Sequence, residues 1–150
     1  MANIADVAVY ILKNYGSTTT MKLQKLAYYS QAESLSRHAR PLFDEDFQAW
    51  RGGPVCSELY ALHKGKFIIR ANEIALPSGQ INLTVEEQQT IDRVCSKLFA
   101  CTGNELSRRT HREKPWIDAR GGLAPAATCR TVISKEAIRD FYQDNPVIAE

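Results

Sequence analysis

The first regular pattern of apolar residues along the chain is helical. Between Ile4 and Leu12, apolar side chains recur at intervals of three and four residues, which places them on one face of an α-helix. Asn3 belongs to the residue types that cap the start of a helix, and Gly16 is well placed to end one in a left-handed conformation. The sequence therefore predicts a first helix that follows Asn3 and ends at Gly16.

A second helix is predicted from about Met21 to His38. Its apolar and small residues form two stripes, one of Leu23, Leu26, Ala27 and Ser30 and the other of Met21, Tyr28, Ala32 and Leu35. A helix that is apolar over most of its circumference is surrounded by protein, so we predict that it is the central helix. Thr18–Thr20 offers its N-cap. Pro41 ends it, because proline disfavours the helical conformation of the preceding residue.

Short strands and turns are predicted in the middle of the chain. Phe47–Arg51 alternates apolar and polar residues, which indicates a strand. Gly52-Gly53-Pro54 predicts a sharp turn, with Pro54 at the first position of a third helix that ends near Gly65. Brief apolar runs lie on both sides of the turn signal Pro77–Gln80, so we predict a small hairpin there.

Two more helices are predicted between residues 84 and 115. Thr84 and Glu87 have the spacing of a capping box, which opens a helix with Ile91, Val94, Cys95 and Leu98 on its buried face. That helix is predicted to stop at Gly103. Asn104 is then predicted to cap a shorter helix that runs to about His111 and is broken by Pro115.

The C-terminal part is predicted to contain a loop and a last helix. Residues 116–132 hold Gly121-Gly122 and Pro125 and few large apolar residues, which indicates a loop. Ser134 is predicted to cap the last helix, with Ile133 and Ile138 forming a hydrophobic staple across its start. The predicted fold is mainly α, or α+β with a minor short-stranded sheet or hairpin. We expect residues 1–150 to form one compact helical bundle around the central helix.

Composition and charge narrow the class of protein. Hydrophobic residues make up 44% of the 150 residues and charged residues 24%, as in ordinary globular domains. No apolar run approaches the length of about 18 residues that a membrane span needs. A formal charge of +2 gives no general attraction to nucleic acid or membranes. Asp6 interrupts the apolar N-terminal segment, so we interpret that segment as part of the fold rather than a secretory signal and expect a cytoplasmic protein.

The sequence contains no complete catalytic or metal-binding motif. His111-x-Glu113 matches the first half of a zinc-deaminase signature, but the second half, P-C-x-x-C, is missing. The four cysteines form no C-x-x-C pair, which favours small buried hydrophobic residues over disulfides or metal ligands. We predict no enzymatic activity and no cofactor. A Cys/His site assembled in space remains the enzymatic alternative.

Basic and aromatic residues suggest two kinds of surface. A basic stretch in the second half could neutralise phosphates, which leaves a nucleic-acid-binding regulator as an alternative; it consists of Arg108, Arg109, Arg112, Lys114, Arg120 and Arg130. Arg109, Arg112 and Glu113 would share one helical turn, however, and local ion pairing is the simpler explanation. The aromatic residues suit a protein interface or an ordinary core; they are Tyr28, Tyr29, Trp50, Tyr60 and Trp116.

Four segments in one order resemble the Panacea domain, a family found in SocA-like antitoxins and phage-associated proteins. Lys22–Tyr29 is similar to the pattern K-L-x-K-L-x-Y-Y, and Pro41–Val55 to P-L-F-D/E followed by A-W/Y-x-x-G-P-V. Glu58–Tyr60 is similar to x-x-L-Y, and Leu106–Trp116 to L-S-x-x-T-H-x-E-x-P-W. The resemblance spans about residues 3–145, which is nearly the whole chain.

The resemblance implies an antitoxin that binds a protein. Panacea domains are paired with many unrelated toxins and are thought to neutralise them by direct contact, with delivery to a cellular protease as another route. The implied partner is a cognate toxin encoded by a neighbouring gene. We expect no membrane partner, and nucleic acid stays only as the alternative partner given above. Neutralisation of this kind needs an exposed group of residues that contributes most of the binding energy rather than a catalytic acid or base.

Two segments are the predicted binding surface. The first is the turn at Arg51, Gly53 and Pro54, together with the neighbouring Trp50 and Tyr60. The second runs from Thr110 to Trp116. The candidate partner-binding residues are Trp50, Arg51, Gly53, Pro54, Tyr60, His111, Arg112, Glu113 and Trp116. For Trp116 and His111 a structural role is the alternative, as a buried indole and a histidine at a helix end. Gly52 departs from the family pattern, which has a larger residue there, and this would loosen the turn.

Overall fold

The computed structural model describes residues 2–149. Within this range the chain forms seven α-helices and five short strands, joined by turns and loops. This confirms the predicted fold class, mainly α with minor sheets. In chain order the elements are α1 (Ile4–Tyr15), β1 (Thr18–Thr19), α2 (Thr20–His38), β2 (Phe47–Trp50), β3 (Gly53–Cys56), α3 (Ser57–His63), β4 (Ile68–Ile69), a 3-10 turn (Ala71–Glu73), α4 (Val85–Leu98), α5 (Gly103–His111), α6 (Lys114–Arg120), β5 (Val132–Ile133) and α7 (Lys135–Asp144).

The helix α2 lies at the centre of the molecule, as predicted. Every residue from Leu23 to Leu35 is buried, and the helix packs against α1, α4, α5, α7 and β3. Its N-cap is Thr19, whose side chain accepts a hydrogen bond from the Lys22 backbone N–H. The expectation that Met21 belongs to a buried stripe is wrong. Met21 is 40% exposed because it lies in the first turn, before α2 enters the core.

Polar residues on α2 are buried as well, and they tie loops and strands to the helix. The Gln31 side chain accepts a hydrogen bond from the Leu42 N–H at 2.7 Å and donates one to the Phe43 carbonyl at 2.8 Å. Glu33 forms an ion pair with Arg93, at 2.7 Å. The core is therefore built from apolar packing around a helix whose buried polar groups have partners in other elements.

The strands form two small sheets. The first has the order β3-β2-β5, all antiparallel, and the second pairs β1 with β4. The predicted hairpin is wrong in its pairing: Ile68 and Ile69 pair with Thr19 and Thr18, and the segment after the 3-10 turn forms no strand. The turn at Pro77–Gln80 is present, with a hydrogen bond from the Gly79 N–H to the Leu76 carbonyl at 3.1 Å.

Pro54 lies in a strand rather than at the start of a helix. It pairs with Ala49 in the register of β2 and β3, and α3 begins only at Ser57. The strand β3 is at the edge of its sheet, where the missing N–H of proline costs no hydrogen bond with a further strand. Pro54 therefore lies at the rim of the three-stranded sheet and not at a helix terminus.

In the second half of the chain, side chains cap the starts of three helices. The Thr84–Glu87 capping box and the Ser134 cap are confirmed. The predicted cap at Asn104 is wrong, because α5 begins two residues earlier than predicted, at Gly103, and Thr102 caps it in a capping box with Glu105. The predicted loop at 116–132 is partly wrong, since α6 extends to Arg120 with Pro115 in its first turn.

The buried apolar residues form one cluster, which all seven helices enter. Three cysteines, Cys56, Cys95 and Cys129, are buried as free thiols, and Cys101 is half-buried. This agrees with the prediction that cysteine serves as a small core residue. Within residues 2–149, no helix combines the length and apolar character that crossing a bilayer requires.

Candidate functional site

The turn between β2 and β3 carries the exposed part of the predicted binding surface. Trp50 and Tyr60 are both half-buried and pack edge to face, with ring centroids 5.1 Å apart. The Trp50 indole N–H donates to the Gln48 side chain at 2.7 Å, which fixes its orientation. Arg51 is exposed at the tip of the turn. The sequence therefore places two packed aromatic rings beside an exposed guanidinium at the surface.

Gly53 and Pro54 lie underneath this surface, and neighbouring helices hold them in place. The Ser107 hydroxyl of α5 donates to the Gly52 carbonyl at 2.6 Å. The Lys25 ammonium of α2 donates to the Pro54 carbonyl at 3.1 Å. Both Gly53 and Pro54 are buried, so they shape the turn and offer little surface to a partner.

Lys25 is a buried cation that sequence analysis did not single out. It is 1% exposed, and desolvation by burial lowers its pKa to about 7. Among the described residues, the Pro54 carbonyl is the one hydrogen-bond partner of its ammonium, and no carboxylate forms an ion pair with it. Buried charges normally have an opposite charge beside them. Lys25 therefore lies beneath the turn as a cation without a counter-ion.

The lowered pKa of Lys25 predicts a specific dependence of stability on pH. Above about pH 7 the folded chain loses the Lys25 proton, whereas the unfolded chain keeps it until about pH 10, so stability rises with pH in this window. We expect wild-type protein to gain about 2 kcal/mol relative to Lys25→Met between about pH 7 and about pH 9. Chemical denaturation at both pH values measures this difference.

Lys97→Met is the matched control for that experiment, because Lys97 is exposed on α4. The control should follow the wild-type pH profile. If Lys25→Met also follows it, the Lys25 ammonium is not desolvated in the folded state.

A groove runs beside the turn, between α2, β3 and α3. Its volume is about 160 Å³, and its lining combines apolar and polar side chains: Thr20, Met21, Gln24, Lys25, Trp50, Gly52, Val55, Tyr60 and His63. The Gln24 side chain holds β3 at the wall of the groove. It accepts a hydrogen bond from the backbone N–H of Cys56 at 2.9 Å and donates one to the Cys56 carbonyl at 3.2 Å. Desolvation lowers the pKa of His63, which favours a neutral ring.

The second predicted segment, Thr110–Trp116, is partly buried. Glu113 accepts hydrogen bonds from the Tyr29 and Tyr142 hydroxyls at 2.5 Å and 2.8 Å, and pairs with Arg109 at 3.2 Å. These contacts join the α5–α6 junction to α2 and α7. The pair also supports the interpretation that local ion pairing, not a phosphate-binding surface, accounts for Arg109.

Trp116 connects the two predicted segments. It is 6% exposed, and its indole N–H donates to the Trp50 carbonyl at 2.7 Å. The His111 ring stacks on Trp116 with centroids 4.1 Å apart, and its buried Nε2 has no hydrogen-bond partner among the described residues. Desolvation lowers the pKa of His111. Arg112 and Lys114 are exposed in this segment. The hydrogen bond from Trp116 to Trp50 brings the two predicted segments together at the β2–β3 turn.

The basic stretch does not form a single exposed surface. Arg120 is 4% exposed, its guanidinium lies over the Trp116 ring at 4.8 Å, and it donates to backbone carbonyls, including that of Ala49 at 2.9 Å. Arg130 lies over the Trp50 ring at 5.0 Å. Arg108, Arg112, Lys114 and Arg130 are exposed.

Two of the four cysteines that could belong to a spatially assembled enzyme site are held as protonated thiols, whereas hydrogen bonds to Thr131 lower the pKa of Cys129. Desolvation raises the pKa of the Cys56 and Cys95 thiols to about 12 in each case. A thiol with so high a pKa stays protonated at neutral pH and is a weak nucleophile. Within residues 2–149, no group of three or more His, Cys, Asp or Glu side chains is arranged to hold a metal ion.

Comparison with known proteins gives one family. The sequence model of the family described as "Antitoxin SocA-like, Panacea domain" matches residues 23–117, which is more than half of the chain. The matched region runs from α2 into α6 and contains the β2–β3 turn, the His111–Trp116 segment and the groove lining apart from Thr20 and Met21. No curated protein and no solved structure matches the chain.

Proposed function

The chain belongs to the SocA-like Panacea domain family of antitoxins, and from this we propose that it neutralises a cognate toxin by binding it directly. The family assignment supports an antitoxin role, and the surface chemistry supports protein contact as its means. Tryptophan, tyrosine and arginine contribute most often to the residues that dominate protein–protein binding energy. Trp50, Tyr60 and Arg51 meet at one turn.

The set of hydrogen bonds that holds this turn is the observation that carries the proposal. The backbone of the turn is held by Lys25 from α2, by Ser107 from α5 and by Trp116 from α6. A surface that is already ordered loses little conformational entropy when a partner binds. The chain thus combines half-exposed aromatic rings with a fixed backbone, as a binding module requires.

Coexpression with the product of the adjacent gene tests this function. We expect the adjacent product alone to arrest growth, and we expect coexpression of this chain to restore growth and to yield a copurifying complex. A harmless neighbour that never associates with this chain would contradict the proposal. The empty expression vector is the control.

Occlusion and delivery to a protease predict different fates for the toxin. If this chain neutralises by occupying the toxin, the half-life of the toxin in cells should be unchanged or longer when the two are coexpressed. If the chain is an adaptor for proteolysis, that half-life should shorten. A pulse–chase measurement of the toxin distinguishes the two routes, and we propose the first.

A further inference from the structure

The groove beside the β2–β3 turn has the size and lining of a receptor for side chains. At about 160 Å³ it is smaller than the pockets of about 300–1,000 Å³ that usually hold cofactors and small molecules. Met21, Val55, Trp50 and Tyr60 give it apolar walls. A protein segment could fill it with one or two apolar side chains, which is how anchor residues bind at interfaces.

Lys25 adds a charge to this apolar groove. Its side chain belongs to the lining, is 1% exposed and makes one hydrogen bond among the described residues, to the Pro54 carbonyl. An ammonium group has three N–H donors, so it retains the capacity to bind an anion. A carboxylate in the groove would supply the missing counter-charge and a charge-assisted hydrogen bond.

Further cations flank the groove on the other side of Trp50. A second cavity of about 200 Å³ shares Trp50 with the groove and is lined by Arg51, Thr128, Cys129 and Arg130. The combined lining of the two cavities contains Lys25, Arg51 and Arg130 and no Asp or Glu. This charge distribution is complementary to an acidic partner.

We infer that this groove receives an acidic segment of the toxin, with a carboxylate on the Lys25 ammonium and an adjacent apolar side chain packed against Trp50 and Tyr60. The inference rests on the proposed function and names the chemistry of the partner at that surface. An apolar wall beside a single buried cation suits an Asp or Glu next to a Leu or Phe. A nucleic acid would instead need a line of exposed cations that follows its phosphates.

Substitutions in the groove test the inference through the affinity of the purified toxin encoded by the adjacent gene. We expect Trp50→Ala and Lys25→Met each to raise the dissociation constant by about 10-fold or more, as loss of an anchor residue does. Val85→Ala and Lys97→Met should change it by less than about 2-fold, since an isolated exposed side chain remote from an interface contributes little. Val85 is 69% exposed, and both control residues lie on α4.

Substitutions in the toxin identify the carboxylate. Each Asp or Glu of the toxin is changed to its amide and paired with Lys25→Met in a double-mutant cycle. We expect one acidic residue whose loss weakens wild-type binding but has little effect in the Lys25→Met background. Absence of any such coupling would overturn the assignment of a carboxylate to Lys25.

Arg51→Glu keeps the test decisive if Trp50→Ala does not fold, because Arg51 is exposed and its replacement disturbs no packing. Charge reversal there should weaken toxin binding more than Lys97→Glu does. Equal affinities for these two variants would overturn the inference.

The outcomes separate this inference from the proposed function. If wild-type chain binds and neutralises the toxin while the groove variants bind equally well, the groove is not the docking site, but the proposed function stands. If wild-type chain does not bind the toxin, both fail. The last outcome concerns a short DNA duplex. If such a duplex binds the wild-type chain, and Trp50→Ala and Lys25→Met each abolish that binding, the groove is a nucleic-acid site and the inference is overturned.

Discussion

Replacing Gly53 with alanine is expected to destabilise the protein by about 3 kcal/mol, because it combines overpacking with an unfavourable backbone conformation. A Cβ at this position would lie 2.6 Å from Lys25 Cε and 2.8 Å from Thr110 Oγ1. Gly53 also has a φ of +115°, a conformation that residues with a side chain rarely adopt. Thermal or chemical denaturation measures the loss.

Gly52→Ala is the matched control, since the two glycines are adjacent in the same turn. A Cβ on Gly52 would meet nothing within 4 Å. Gly52 is half-buried with open space around it, so we expect this variant to remain within about 0.5 kcal/mol of wild type. Equal stabilities for the Gly52 and Gly53 variants would contradict the close packing of the turn on Lys25.

Loss of the Arg120 guanidinium is expected to have an effect of similar size. Arg120 donates to the carbonyls of Ala49, Ala124, Pro125 and Ala127 at 2.7–3.4 Å. Arg120→Met keeps an unbranched apolar stem but removes all these bonds, including the one to the carbonyl of the buried Ala49. We expect a loss of about 3 kcal/mol, because unsatisfied buried groups cost about 1–3 kcal/mol each and part of the loop can become hydrated.

Arg112→Met controls for the loss of one positive charge. Arg112 is exposed at the end of α5, so its loss should change stability by less than about 0.5 kcal/mol. Amide hydrogen exchange provides a second measurement: residues 121–131 should exchange faster in Arg120→Met than in Arg112→Met. Unchanged exchange in that segment would show that Arg120 does not hold the loop.

Local signals in the sequence were sufficient for most helices. The caps at Asn3, Thr84 and Ser134 are interactions over three residues, so the sequence alone determines them. The central position of α2 was predicted from apolar residues on nearly all its faces. These features depend on neighbouring residues and on the period of the helix, not on the rest of the fold.

The errors arise where distant contacts outweigh local patterns. Pro54 is compatible with a helix start, but pairing with β2 places it on a sheet edge. Ile68 and Ile69 pair with Thr18 and Thr19, which lie about fifty residues earlier in the chain, and no local signal specifies that pairing. Sequence patterns describe each segment alone, whereas strand pairing depends on which segments meet.

The candidate site was also predictable only in part, where local sequence signals were sufficient. Trp50, Arg51 and Tyr60 were selected from sequence, and they lie together at the surface. Lys25 was not selected, because lysine is expected in solvent and nothing local indicates its burial. Two signals point to it only in combination: its place on a helix buried all round, and a following glycine-rich turn that can pack against its stem.

The burial of Lys25 links the fold to the proposed function. A cation without a counter-ion lowers the stability of the free protein, as its pKa of about 7 indicates. A partner that supplies a carboxylate would recover this free energy on binding, so the same feature that destabilises the free chain would favour the complex. This is consistent with a module whose function is to bind another protein.

Titration of toxin activity with the purified chain tests the central claim most directly. If the chain acts by occupying the toxin, activity should fall in proportion to added chain and reach zero at a fixed molar ratio, independent of incubation time. Inactivation by far less than an equivalent of chain, increasing with time, would mean that the chain modifies the toxin catalytically and would contradict the account.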